Sequence, residues 1–120
     1  MEAKKLFFMD CHLAGRMYHD ADEVWDQLKV GTTLRLERDK ENHFDPYAVE
    51  VIYTDAEGED FKLGYIPRGE NEILAHLLEM GWTQIFECRI SKLNPDTHPE
   101  NQVHLTIKIK RNKEIGRAHV

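Results

Sequence analysis

The sequence predicts a mainly β protein, with six short strands curled into a small, closed or nearly closed barrel and two short α-helices. Three observations carry this. Val103, Leu105, Ile107 and Ile109 alternate with polar residues over 102–110, the period-2 pattern of a strand with one buried face. Five further strand-like runs are bounded by turn residues, and most connections are too short for the crossovers that parallel strands require. Only two stretches have helical spacing of apolar residues, and both are short.

In chain order, residues 6–17 read as a first strand, with Leu6, Phe8 and Leu13 at strand-like spacing and Gly15 permitting a bulge or a close backbone approach. Asp20 starts a short helix, Glu23 completes a capping-box-like pair, and Ala21, Val24, Trp25 and Leu28 form one apolar stripe ended by Gly31. On that stripe Trp25 reads as a core residue rather than a stacking platform. The second strand spans residues 32–38 with Leu34 and Leu36 inward, and the third spans 48–53 with Val49, Val51 and Tyr53 on one side. The acidic residues 55–60 read as a hairpin loop with solvated charges, and Phe61 to Ile66 form the fourth strand, closed by Pro67. A second helix over 70–80 has Ile73, Leu74, Leu77 and Leu78 as its apolar face, with Gly81 as its stop. The fifth strand falls at 82–92 and the sixth at 102–110, joined by a polar connector with two prolines. A single domain over 1–110 and a basic, frayed tail over 111–120 complete the reading.

Composition narrows the function classes. An apolar fraction of 41% in 120 residues is ordinary for one globular domain. No run approaches the ~18 apolar residues of a membrane span, and Leu6 to Met9 is too short to be a signal-peptide core. Cys11 and Cys88 form neither a disulfide framework nor a metal spacing, which favours buried thiols in a reducing cytoplasm. The formal net charge of −6 is unevenly spread: residues 1–88 hold nine Lys/Arg against nineteen Asp/Glu, and residues 89–120 hold seven against three. That balance argues against a sequence-blind grip on long duplex. The basic end reads either as a phosphate-facing strip or as a solvated tail. No nucleophile motif, P-loop or dinucleotide fingerprint occurs, and the seven histidines show no paired ligand spacing, so neither an enzyme nor a metal or other cofactor is expected.

The most informative stretch is Arg38-Asp39-Lys40-Glu41-Asn42-His43-Phe44-Asp45-Pro46-Tyr47, between the second and third strands. Asn42 and Asp45 set turns through their own backbone, and Pro46 pushes Asp45 into an extended conformation. Taken locally it is a turn. Two other segments extend it: Gly15-Arg16-Met17-Tyr18-His19 upstream and Leu63-Gly64-Tyr65-Ile66-Pro67-Arg68 downstream. Together they hold aromatic platforms (Tyr18, His19, Phe44, Tyr47, Tyr65) and cations (Arg16, Arg38, Arg68), the parts with which single-stranded nucleic acid is held. Asp45 is the unusual component. It repels a continuing phosphate but accepts a hydrogen bond from a free terminal hydroxyl, which favours a strand end over an interior stretch.

These three segments, in this order and with the Gly31-Thr32-Thr33-Leu34 lead-in, resemble the HIRAN domain over roughly residues 12–92. That family occurs at the front of fork-remodelling helicase-like proteins and as a free-standing bacterial domain. The resemblance implies an OB-like/SH3-like barrel that captures the 3′-hydroxyl end of single-stranded DNA in repair or replication, with a helicase or nuclease as a possible protein partner and no membrane. It implies that Tyr18 and His19 flank the terminal bases, that Asp45, oriented by Asn42, accepts from the 3′-hydroxyl, and that Tyr65 and Arg68 contact a phosphate. Where the DNA-gripping members carry Arg-Tyr-Tyr, this chain has Met17-Tyr18-His19, with Arg16 one position earlier. Each residue also has a purely structural alternative: Tyr65 filling the barrel, Arg68 pairing near the second helix, Asp45 capping its own turn. The rival function is a protein-interaction module with no DNA binding of its own.

Overall fold

The computed structural model describes residues 4–16 and 19–111. Six strands, β1 (Lys5–His12), β2 (Thr33–Arg38), β3 (Val49–Thr54), β4 (Asp60–Tyr65), β5 (Phe86–Leu93) and β6 (Val103–Lys110), form one antiparallel sheet in the order β1-β6-β5-β2-β3-β4. The sheet curls until its two edges touch. Past the end of β1, Ala14 bridges Tyr65 at the end of β4 through two backbone hydrogen bonds of 2.8 Å each. Apart from this bridge the barrel is not closed by a continuous ladder. The architecture is thus the mainly β fold with two short helices that the alternation of β2, β3 and β6 predicts, and its curled sheet has the OB-like form that the resemblance implies.

The curled sheet encloses Leu34 and Leu36 of β2, Val49 and Val51 of β3, Leu63 of β4 and the inward residues of β5 and β6. Val103, Leu105 and Ile107 are fully buried, as their alternation requires. Cys11 and Cys88 are free and buried. Burial pushes the Cys11 thiol up to about 12 and Cys88 higher still, so both behave as small apolar core residues.

Several boundaries differ from expectation for identifiable reasons. β1 stops at His12 rather than running to residue 17, and Gly15 serves a turn at φ +70°. The bulge lies at Phe8, between the pairs Phe7–Lys108 and Met9–Ile107. It lets the consecutive Phe8 and Met9 both pack on the core while Leu6 stays exposed. The first helix, α1 (Ala21–Val24), is one turn long and tightens into a 3-10 turn over Trp25–Gln27. Asp20 makes no side-chain cap bond there, because its ψ of 11° is not the extended cap conformation; instead its N–H donates to the Lys62 carbonyl. The second helix, α2 (Glu72–Glu79), buries Leu74, Ala75 and Leu78 and turns Ile73 outward, so its inner face is rotated from the expected one. β5 begins at Phe86 rather than 82, after a turn held by Trp82 N–H on the Leu77 carbonyl. The 94–101 connector contains a 3-10 turn at Pro99–Asn101.

One glycine is required by space. A Cβ on Gly64 would lie 2.4 Å from the Ala14 carbonyl oxygen and 3.1 Å from Leu13 Cδ1. Only glycine lets β4 come close enough to residues 13–14 to make the closing bridge.

Candidate nucleic-acid interface

The loop between β2 and β3 builds the site. Asn42 Oδ1 accepts from the N–H groups of Phe44 (2.8 Å) and Asp45 (2.9 Å), so one side chain fixes two successive peptides. Asp45 Oδ1 accepts from Tyr47 N–H at 2.9 Å, while Oδ2 accepts from Asn71 Nδ2 at 2.8 Å. Asn71 sits at the start of α2 and is fully buried, yet makes no cap bond to its own helix. Its amide is spent on holding the Asp45 carboxylate. Each carboxylate oxygen has a second lone-pair site, so Asp45 is fixed in direction and can still accept a further hydrogen bond.

The closing bridge supplies the opposite wall. A cleft of about 220 Å³ is lined by Ala14 and Gly15 on one side, Asn42, Phe44 and Asp45 on the other, and Tyr65 and Arg68 at the end of β4 and beyond. Five residues that the sequence proposes from two separate segments thus face one space. Phe44 is 86% exposed at the lip, and the exposed Arg68 guanidinium has no hydrogen-bond or ion-pair partner among the described residues. The Tyr65 hydroxyl donates to Asp39 Oδ2 at 2.7 Å, and the His19 ring meets the Tyr65 ring edge-on at 5.2 Å. Burial, then the bond to Asp39, push the Tyr65 hydroxyl up. Burial, then the nearby Lys62 ammonium, push His19 below its usual value, which keeps it neutral at pH 7. Burial works against ionisation of Asp39, but the bonds from Tyr65 and from Glu41 N–H hold its carboxyl below the ordinary range.

Two of the proposed cations have intramolecular work. The Arg16 guanidinium is buried, 4.3 Å from the centre of the Trp25 ring, and its Nη2 pairs with Asp22 at 2.8 Å. Trp25 is thereby a half-buried platform for an internal cation as well as a core contact. Arg38 donates to the carbonyls of Ala48 (2.6 Å) and Pro46 (2.9 Å) and to Glu79 (2.6 Å), clamping the β2–β3 loop onto α2. Neither faces the cleft. Tyr18 lies outside the described residues.

Other supporting residues have no motif. Glu100, from the 3-10 turn before β6, accepts from Gly15 N–H at 2.9 Å through Oε1, and its Oε2 lies 3.7 Å from His12 Nε2. Asn71 had one local signal, an asparagine at a helix start. Glu100 and Lys62 had none, because their partners are remote in sequence, and Asp39, although inside the quoted loop, meets Tyr65 only across 26 positions. Among the described residues, no group of three or more His, Cys, Asp or Glu is placed to hold a metal ion, and no helix is long and apolar enough to cross a membrane.

Fold and site together define a small OB-like barrel module with an aromatic- and carboxylate-lined cleft at the seam where its sheet edges meet. The chain matches the HIRAN domain family over residues 6–112 and belongs to it. It is 33% identical over 106 residues to a Fanconi-associated nuclease 1 homolog of Oryza sativa subsp. japonica, a match covering 88% of this chain and 10% of that protein. The chain therefore spans about a tenth of that relative's length. Among solved structures, a protein from Lactobacillus plantarum superposes with a TM-score of 0.72 at 23% identity, covering 90% of this chain and 97% of that one. The HIRAN domain of human HLTF superposes with a TM-score of 0.64 at 16% identity, covering 98% and 88%.

Proposed function

We propose that this domain is a non-catalytic module that binds single-stranded DNA at its free 3′-hydroxyl end, with Asp45 as the acceptor for that hydroxyl. The observation that carries the reading is the Asp45 carboxylate, held by Asn71 and Tyr47 N–H on the wall of an open cleft that also contains Phe44, Tyr65 and Arg68. A terminal base stacked on an aromatic ring gains roughly 1–3 kcal/mol. A hydroxyl bonded to a carboxylate adds about 1.5–3 kcal/mol. A 3′-phosphate in place of the hydroxyl sets like charges ~4 Å apart, a penalty on the order of 4 kcal/mol at an effective dielectric near 20. The −6 net charge and the internal partners of Arg16 and Arg38 leave few cations for phosphates. Binding then rests on the end group more than on the backbone. Membership of the HIRAN family and likeness to a nuclease homolog favour a role in DNA repair or replication, beside a helicase or nuclease partner.

The test is fluorescence anisotropy with short single strands carrying a free 3′-hydroxyl or a 3′-phosphate and with a blunt duplex, against wild type and Asp45→Ala. The expected result is binding that requires the free hydroxyl and falls roughly 10- to 100-fold in Asp45→Ala. The salt slope should be shallow, about −0.7 per phosphate contacted. Equal binding of hydroxyl and phosphate ends, or no binding of any probe at low salt, would refute it.

A further inference from the structure

We infer that Asp39 sets the hydrogen-bond polarity of the Tyr65 hydroxyl, and that the cleft thereby prefers a strand whose 3′-terminal base carries an exocyclic amino group, cytosine over thymine. This deepens the DNA-end reading and rests on it. Tyr65 lines the cleft, and its side chain reaches from the end of β4 to the foot of the β2–β3 loop, where the hydroxyl donates to Asp39 Oδ2 at 2.7 Å. A phenol has one hydrogen to give and lone pairs with which to accept. The Asp39 carboxylate has no proton to return. Burial works against its charge, but the bonds from Tyr65 and from Glu41 N–H keep it ionised at pH 7. The nearby Lys62 ammonium is taken up by Glu50 at 2.9 Å, and no donor bonds the Tyr65 oxygen among the described residues. Toward a ligand that oxygen is therefore an acceptor only.

Two acceptors, the Asp45 carboxylate and the Tyr65 oxygen, thus belong to one cleft, with Arg68 as its free cation. Asp45 takes the terminal hydroxyl. A phosphate oxygen at Tyr65 would meet a lone pair, so Arg68 is the group left for the phosphate. The base is what remains to give the Tyr65 oxygen a hydrogen. Cytosine N4 and adenine N6 carry NH2 donors, whereas thymine presents O4, an acceptor, where cytosine presents its amine. Thymine there sets oxygen against oxygen and leaves a polar group of the site unpaired, a mismatch that separates ligands of equal size. The polarity is reversible by one group. Asp39 Oδ1 accepts from Glu41 N–H at 3.2 Å, so an asparagine at this position keeps its carbonyl on Glu41 N–H and turns its NH2 to Tyr65. The Tyr65 oxygen then accepts from that NH2, and its hydrogen is released to the cleft.

The test measures anisotropy with short single strands that differ only in the 3′-terminal base, dC or dT, each carrying a free 3′-hydroxyl or, as a control, a 3′-phosphate. Wild type should bind the dC end roughly three- to ten-fold more tightly than the dT end. Tyr65→Phe, which keeps the ring and loses the oxygen, should bind the two ends alike. Asp39→Asn should reverse their order. Circular dichroism checks both folds, and Tyr65→Phe decides the question by itself if Asp39→Asn does not fold. Equal affinity of wild type for the two bases, with the free hydroxyl still required, would overturn the inference and leave the DNA-end reading standing. A preference that survives Tyr65→Phe would overturn it too. So would an Asp39→Asn variant that weakens both ends by the same factor, which would reduce Asp39 to a support of the fold. Binding indifferent to the 3′-hydroxyl would sink the inference together with the reading beneath it.

Discussion

Gly64→Ala puts one methyl group at the seam of the barrel. The glycine has no positive φ, so its backbone accepts alanine, and in open space the change would stabilise the fold by about 0.4–1 kcal/mol through the unfolded chain. The site is not open. The new Cβ would lie 2.4 Å from the Ala14 carbonyl oxygen, which is backbone and cannot rotate aside. Relieving the contact separates residue 14 from β4 and removes the two 2.8 Å bonds joining Ala14 to Tyr65, each contributing roughly 0.5–1.5 kcal/mol. Overpacking against Leu13 adds about 1–3 kcal/mol. The net expectation is a loss of about 1–5 kcal/mol, a large part of the roughly 5–15 kcal/mol available to such a domain. Urea denaturation followed by circular dichroism should show a lower midpoint at unchanged slope. Hydrogen exchange should show the amides of Ala14 and Tyr65 losing protection ahead of the rest of the sheet. A variant as stable as wild type, or one that is destabilised while those two amides stay protected, would refute the reasoning.

Two further predictions concern charge and its support. Asn71→Ala removes the donor to Asp45 Oδ2 from a buried site and should cost about 1–3 kcal/mol. In a double-mutant cycle with Asp45→Ala the losses should fall short of additive, and full additivity in denaturation experiments would show that the pair is not coupled. Glu87 in β5 accepts from Lys5 in β1 at 2.6 Å, spanning β6, and also from Arg89, and these bonds hold its carboxyl down to about 2 from an ordinary 4.5. A depressed carboxyl stabilises the fold fully above its unfolded value, so this contribution should be present above about pH 4.5 and fade as the pH falls towards 2. Comparing acid unfolding of wild type and Glu87→Gln checks it: the stability gap should close over that window, and a gap independent of pH would exclude the pair as its source.

Much of the fold could be read from the chain because its strands alternate. Val103, Leu105 and Ile107 have one wet face and one dry face, and each residue's place follows from its parity. The helices were less legible. On α2 apolar residues occupy more than one face, so periodicity could not show that Ala75 packs inward and Ile73 outward. Asp20 and Glu23 have capping-box spacing, but the cap depends on a backbone conformation that the β4 contact overrides. For the cleft, the local half was readable, since Asn42, Phe44 and Asp45 are bound to one another within four residues. That Tyr65 and Arg68 join them was suggested by motif order. Which arginines stay free was not readable, because Arg16 and Arg38 have the same chemistry as Arg68 and differ only in the Trp25, Asp22 and Glu79 that folding brings to them.

The Gly15 turn is tied to Glu100 across 85 positions of sequence. Together with the Ala14–Tyr65 bridge and the Asp45–Asn71 bond, this makes the cleft an assembly of non-local contacts, which form late because loop closure precedes them. Every cleft-lining side chain lies between residues 14 and 68, yet the Gly15 wall is held by the turn that leads into β6. One wall of the cleft therefore depends on a carboxylate that lies 85 positions away, in the turn before β6.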